Sequence, residues 1–418
     1  MHLTKEPINS KYIKKLNRMT VINTIKKHEP VSRQQLAEFT GLTPPAISGI
    51  VRELLEAGLV REVGLDKSNG GRRPVNLCLN PEAGYVIGIE VTRFESLIGI
   101  ADLKNDPTDF RTAKIDMTDP ETGIKLLADA VEQIMSEEKY IKKAFLGIGV
   151  AFPGLLNVRE GSVKRSINLG KAWDSFNVKE FLESELELPI FIENNSNTSV
   201  LAERWFGGGK GCKDLVYINL GEGISAGIIL NDRILQGARG YAGEIGHMSI
   251  QEGGPLCNCG NRGCLESICG IPAIIRQAKA ELPNIAESDP LKKAWLENGE
   301  ISIADIIESA NIPDSYSWKL LRQMSIYIGK AIANVINFYN PELIFIGGKM
   351  SVIGDYFMDI IRKTANTHAF PEIALSTEIK VSELKEKSGV VGACALALKH
   401  LFKTDSDMLE DVRQIMNA

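Results

Sequence analysis

Four side chains spread over residues 247–264 have the chemistry to hold a metal ion. His247 is followed by Cys257, Cys259 and Cys264, and one imidazole with three thiolates satisfies a closed tetrahedral zinc site. Gly253, Gly254, Gly260 and Gly263 let the backbone wrap tightly around such an ion. Four protein donors leave no position for water, so the ion reads as structural, one per chain, rather than catalytic. The competing reading is three reduced cysteines buried beside a core histidine. A disulfide framework fits poorly, because the count of seven is odd and Cys257, Cys259, Cys264 and Cys269 crowd together.

Two carboxylates bracket this cluster. Glu244 lies three residues before His247 and Glu266 two after Cys264, so a metal loop would pin both near one place. Asn168, Asn194 and Asn195 offer amides at loop or strand ends. Groups that both accept and donate hydrogen bonds suit a polyhydroxylated ligand such as a sugar; the plainer alternative is carboxylates solvated on a loop.

The elements that must position these groups follow from periodicity. Strand-like runs fall at Tyr85–Val91, Leu97–Asp102, Arg111–Ile115, Ala144–Ala151 and Pro189–Ile192, with a helical pattern over 121–138. A second series, Asp214–Leu220, Gly227–Leu230 and Leu343–Gly347, repeats the style among further helices. Strands alternating with helices predict two α/β lobes, whose ligands lie beyond the carboxyl ends of strands. That placement singles out Phe152–Gly154, Glu193–Asn197 and Gly221–Ser225.

The first eighty residues differ in kind. They carry 13 Lys and Arg against 7 Asp and Glu, whereas the whole chain has a net charge of −5. Met19, Val21, Ile22 and Ile25 space a helix over 17–27, stopped by Pro30. Ser32 caps a short helix, Arg33–Phe39, and Gly41 supplies a turn. Thr43 then caps a third helix with Pro44 in its first turn. Ile47, Ile50, Val51, Leu54, Leu55 and Leu59 form the buried stripe of that helix, leaving Pro45, Ser48, Gly49 and Arg52 opposite. Two strands, Leu59–Val63 and Val75–Leu79, are joined through an Asn69-Gly70-Gly71 tip from which Arg72 and Arg73 project. This is a winged helix-turn-helix, which reads double-stranded DNA with its second helix in a major groove and its wing near a minor groove; a helical bundle with a basic hairpin is the alternative. Thr43, Pro45, Ser48, Arg52, Asn69, Arg72 and Arg73 are the candidate DNA contacts.

The length of 418 residues predicts two or three domains, and the composition, 44% hydrophobic and 24% charged, is that of a folded soluble chain. The N-terminus has basic residues but no apolar core of a signal peptide, and no apolar run approaches a membrane span. The cytoplasm is the expected compartment.

Beyond spacing, several runs carry a resemblance. GEGISAGIILNDRILQGARGYAGEIGH (221–247) followed by CNCGNRGCLES resembles the signature of the repressor/open-reading-frame/kinase (ROK) family, as do GVAFPGLLN, ENNSN, PELIFIGG and the late GACALAL. The leading helix-turn-helix with its GGRRP hairpin resembles the family's transcriptional-repressor branch, which includes xylose, glucose and N-acetylglucosamine repressors. The resemblance implies an α/β fold: a winged helix-turn-helix at 1–80, then a two-lobed actin-like, sugar-kinase-like body at 81–198 and 199–418, with the zinc loop in the second lobe and the C-terminal helices packing back on the first. It implies zinc on His247, Cys257, Cys259 and Cys264, and sugar contacts from Asn168, Asn194, Glu244, His247 and Glu266.

Departures from the family's kinases decide what the pocket does. Those kinases resemble one another in an Asp-x-Gly-Gly-Thr phosphate loop; this chain has Glu90-Val91-Thr92-Arg93-Phe94. They place an Asp, the base that accepts the sugar hydroxyl's proton, where Asn195 stands here. Glu222 and Ser225 replace the Thr and Gly of their second glycine loop, and Glu222 would repel a triphosphate. The expectation is a non-enzymatic, sugar- or sugar-phosphate-responsive repressor without ATP, acting on operator DNA as a homodimer or dimer of dimers. An active sugar kinase, or a repressor governed by a protein partner, is the alternative.

Overall fold

A computed structural model describes residues 10–65, 75–104 and 107–401. The N-terminal head opens with α1 (Ser10–His28), β1 (Val31–Ser32), α2 (Arg33–Thr40) and α3 (Pro44–Glu56), and closes with β2 (Val60–Leu65) and β3 (Val75–Leu79). Ser32 caps α2 in a full capping box with Gln35, and Gly41 ends that helix at φ +70°, a left-handed turn that suits glycine. Thr43 sits at the cap of α3, but its side chain makes no capping bond. Pro44 and Pro45 fill the first two helical positions, so of the two amides a cap hydroxyl can meet only that of Ala46 remains. Val21, Ile22, Ile25, Leu36, Ile47, Ile50, Val51 and Leu54 are buried together with Leu77 and Leu79, so one core joins three helices to the sheet β1-β3-β2. Leu55, expected in the stripe, is only half-buried.

The chain continues through β4 (Tyr85–Val91), β5 (Ser96–Asp102), β6 (Asp109–Ala113), α4 (Pro120–Met135), β7 (Phe145–Phe152), β8 (Leu155–Asn157), β9 (Ser162–Arg165), α5 (Val178–Leu186) and β10 (Ile190–Asn194). Next come α6 (Asn195–Trp205), β11 (Leu215–Leu220), β12 (Ile224–Leu230), β13 (Arg233–Ile234), α7 (Leu265–Cys269), α8 (Ile271–Glu281), α9 (Pro290–Asn298), α10 (Ile303–Ser309) and α11 (Tyr316–Tyr339). The last elements are β14 (Leu343–Gly347), α12 (Asp355–His368), α13 (Pro371–Ala374), β15 (Glu378–Val381) and α14 (Ser388–Leu401).

Two compact units result. One holds the head with residues up to Phe152, Asn177–Glu193 and the chain from Ala393; the other holds Pro153–Phe176 and Asn194–Gly392. The first carries the sheet β10-β7-β4-β5-β6 and the second the sheet β13-β12-β11-β14-β15. In each, a parallel pair (β4 with β7, β11 with β14) lies beside an antiparallel hairpin (β4 with β5, β11 with β12). β7 and β14 are buried along their whole length, which is why they read as continuous apolar runs instead of alternating ones.

Gly227 on β12 shows how close the packing is. A Cβ there would lie 1.9 Å from the Ser196 carbonyl, so the first turn of α6 rests directly on the strand backbone. That close approach fixes where Asn194 and Asn195 emerge.

A candidate metal centre beside a polar cavity, and a DNA-reading head

The loop after β13 returns on itself around four donors. His247 closes a short helical turn, Ile245–His247, and Cys264 immediately precedes α7. Ser249 bridges to Cys264 and Leu256 to Arg262, while the Cys257 amide donates to the Asn261 carbonyl at 2.7 Å. Gly263 stands at φ +73° with its Cβ position 1.8 Å from the Gln251 carbonyl, so no other residue fits there.

The donor atoms of His247, Cys257, Cys259 and Cys264 all lie within 4.8 Å of one another. Cys259 Sγ is 3.7 Å from Cys264 Sγ, and Cys257 Sγ is 3.7 Å from His247 Nδ1. A tetrahedron with zinc–sulfur bonds of about 2.3 Å has edges of about 3.8 Å, so the residues fit the ion. The sequence-expected set is brought together as one cluster consistent with a metal site. His247 presents Nδ1 to the thiolates and Nε2 the other way, 3.8 Å from Glu244 Oε2. An imidazole committed to a metal through Nδ1 keeps its proton on Nε2, making that edge a hydrogen-bond donor.

That edge opens onto a cavity of about 240 Å³ within the second unit. All six expected ligand residues line it: Asn168, Asn194, Asn195, Glu244, His247 and Glu266. Asn194 and Asn195 arrive at the junction of β10 with α6, where the Asn194 amide donates to the Gly154 carbonyl at 3.0 Å and its oxygen accepts from the Ser196 amide at 2.9 Å. Asn194 is therefore a helix cap as well as a lining residue. Glu266, on α7, accepts from the Ile224 amide at 2.9 Å. A Cβ on Gly223 would lie 3.0 Å from Glu266 Oε2, a tight contact, and 3.5 Å from Asn168 Nδ2, an ordinary one, so glycine gives the Glu266 carboxylate its room. Burial pushes the Glu244 carboxyl above its ordinary pKa; His247 opposes that shift and the Glu266 charge adds to it. Ser225, at the end of the singled-out Gly221–Ser225 stretch, lines the cavity too, whereas sequence reasoning missed Arg165, Ser166 and Asn219. Ser225 Oγ lies 2.5 Å from Ser196 Oγ, tying the second glycine loop to α6. Asn219 is next to last on β11, which runs into that loop, a position the strand-end rule could have flagged.

In the head, Thr43 at the cap of α3 and Pro45, Ser48 and Arg52 on it are all exposed. Arg52 lies 3.9 Å from Glu56, a weak surface pairing. Arg33 and Gln34, from the start of α2, join Pro44 and Ser48 around a shallow depression between the two helices; sequence reasoning missed both, although Arg33 opens a capped helix. Asn69, Arg72 and Arg73 lie outside the described residues.

A family model described as the ROK family matches residues 87–400. The chain belongs to the ROK family. A second model, described as the MarR family, matches residues 15–67, which hold the helix-turn-helix. A xylose repressor of Caldicellulosiruptor bescii is 30% identical over 94% of this chain and 98% of its own. A glucokinase of Halalkalibacterium halodurans is 36% identical over 267 residues, 64% of this chain and 80% of its own. A crystal structure described as a ROK family transcriptional regulator, homolog of E. coli MLC protein, matches with a TM-score of 0.84 at 28% identity, covering 96% of this chain and 100% of that one. The molecule is thus a ROK family regulator with a MarR-like head, and the expected fold class holds: a helix-turn-helix ahead of two sheets of the ROK sugar-kinase fold. Among the described residues no helix is long and apolar enough to cross a membrane.

Proposed function

We propose that this ROK regulator is a non-enzymatic, sugar-responsive repressor of carbohydrate genes, with zinc on His247, Cys257, Cys259 and Cys264. In this reading residues 1–80 bind operator DNA, through Thr43, Pro45, Ser48 and Arg52 on α3 and Asn69, Arg72 and Arg73 on the wing. The lobes 81–198 and 199–418 hold a sugar or sugar phosphate against Asn168, Asn194, Asn195, Glu244, His247 and Glu266. The long relatives that share the head, a xylose repressor among them, support this reading. So does the cavity size, somewhat below the roughly 300–1,000 Å³ of drug-sized sites and suited to a monosaccharide.

The observation that carries it is Asn195. It lines the cavity at the position where the family's kinases resemble one another in an aspartate, and an amide cannot take up the proton of an attacking hydroxyl. The chain's own residues then bind and orient a sugar without activating it. Zinc would supply a structural cross-link that ties His247 to the loop preceding Glu266. Two copies would place two heads about one DNA turn apart on a two-fold operator.

The glucokinase match keeps a second reading in view, an ATP-dependent sugar kinase carrying a head. Purified zinc-loaded protein incubated with ATP and a panel of D-xylose, D-glucose, N-acetyl-D-glucosamine and their phosphates separates the two. Ligand-induced thermal stabilisation without turnover supports the sensor. Turnover abolished by Asn195→Ala establishes the kinase.

A further inference from the structure

One carboxylate joins the head to the body. Glu29 follows the end of α1 and is 14% exposed, and each of its oxygens has a separate task. Oε2 accepts from the Leu79 amide at 2.7 Å, at the base of the wing strand β3. Oε1 meets Lys104 Nζ at 3.3 Å, on the loop that follows β5. Lys26, one turn back on α1, is half-buried with its amine inside; burial brings that amine down to about 7 and the Glu29 charge opposes the shift.

The sheet explains why this place is informative. β4 and β5 are antiparallel with Tyr85 opposite Asp102, so the end of β5 returns to the start of the body, beside the head. β7 lies next to β4, and β10 next to β7. Both of these strands end at the cavity: Pro153 and Gly154 directly follow β7, and β10 finishes on Asn194. Lys104, two residues past β5, therefore stands at the end of this sheet opposite to the one where β7 and β10 lead into cavity-lining residues. Asn80 fixes the same junction from the head, donating to the Gly58 carbonyl at 2.8 Å and accepting from the Glu82 amide.

We propose that Glu29 and Lys104 are a positioning pair that transmits cavity occupancy to the wing, because one carboxylate sets the angle between the base of the wing and the body's sheet. The pair touches neither sugar nor DNA. The proposal rests on the sugar-responsive reading, since a signal must exist to be carried. Lys104 keeps 35% of its side chain exposed and Glu29 keeps its bond from the Leu79 amide, so losing the lysine leaves the fold intact; the pair's value lies in geometry.

The test measures affinity for a duplex selected from a random pool by the wild-type protein, with and without D-xylose, D-glucose, N-acetyl-D-glucosamine and their phosphates. Lys104→Met should keep the sugar's thermal shift and bind sugar-free duplex within about fivefold of wild type. The sugar-induced change in duplex affinity, of the order of 5–150-fold for such couplings, should fall below about twofold. Glu29→Gln keeps an acceptor for the Leu79 amide, and the double variant should lose no more coupling than either single one. Hydrogen exchange gives a second readout: sugar should change protection of residues 75–80 in wild type and not in Lys104→Met. Variants that respond as fully as wild type, or losses that simply add, overturn the joint while the sensor stands. A wild type blind to every sugar overturns the sensor and the joint together.

Discussion

The two five-stranded sheets have the same wiring and opposite equipment. Written from the parallel edge, one runs β10-β7-β4-β5-β6 and the other β15-β14-β11-β12-β13. Their hairpin turns are where they part. Between β4 and β5, the Thr92 amide and hydroxyl both bond the Glu95 carbonyl, at 3.0 and 2.8 Å, and the Arg93 guanidinium lies 5.2 Å from the centre of the exposed Phe94 ring. That turn is bulky and closed on itself. Between β11 and β12 the turn is Gly221-Glu222-Gly223, and Gly223 leaves room for the Glu266 carboxylate at the cavity. The second sheet also gains the metal loop after β13, where the first sheet has α4 between β6 and β7. The repeated scaffold thus carries a polar cavity in the second unit, shaped by small residues at a turn and an inserted loop that a metal could stiffen.

Breaking that loop should have the largest effect. Cys257→Ser should take zinc from about one per chain to almost none, since structural zinc contributes about 10–16 kcal/mol to small sites. Sugar response should vanish while the head keeps its fold; metal analysis and circular dichroism check both. Zinc-free wild type would end the metal account.

The carboxylate on α7 comes next. Glu266→Ala removes a cavity acceptor and leaves the Ile224 amide without its partner, so sugar affinity should fall by about 2–3 kcal/mol. Glu266→Gln, which keeps one acceptor, should fall less, as calorimetric titration would show.

Close packing offers a direct contrast between the units. Gly149→Ala meets the Ala393 carbonyl and Gly227→Ala the Ser196 carbonyl, each at 1.9 Å. Both should destabilise by about 1–3 kcal/mol. Only Gly227→Ala should also weaken sugar binding, because it displaces the turn that carries Asn195. Equal affinity losses would mean that the contrast lies elsewhere.

Smaller effects belong to the head. Arg72→Ala with Arg73→Ala should shrink the salt slope of DNA binding by about 0.9 for each phosphate that is no longer neutralised, measured between about 50 and 200 mM salt. Ser32→Ala should cost about 1 kcal/mol through the α2 cap, visible as a lower melting temperature.

Much of this is legible in the sequence, for identifiable reasons. The metal set is readable because thiolates and imidazole at short spacing leave few alternatives, and the strand-end rule finds Gly154, Asn194 and Ser225 because α/β cavities form where strands stop. Tyr85–Val91, Val75–Leu79 and Leu343–Gly347 match residue for residue, since β-branched runs between turn formers mark their own ends. Arg165 and Ser166 escape because single polar residues at and just past the end of a short strand carry no periodic signal. The idle cap at Thr43 escapes because a favoured residue type is weighed without the prolines behind it. The Glu29–Lys104 pair, far apart in the chain, has no local trace at all.

The central claim is that cavity occupancy changes DNA affinity without chemistry. Fluorescence anisotropy of a selected duplex, titrated with zinc-loaded protein at fixed salt with and without each sugar and with ATP present, tests it in one experiment. The account predicts a midpoint shift of at least about fivefold with one sugar class and no sugar phosphate formed. A midpoint indifferent to every sugar, or ATP-dependent accumulation of sugar phosphate, would contradict it.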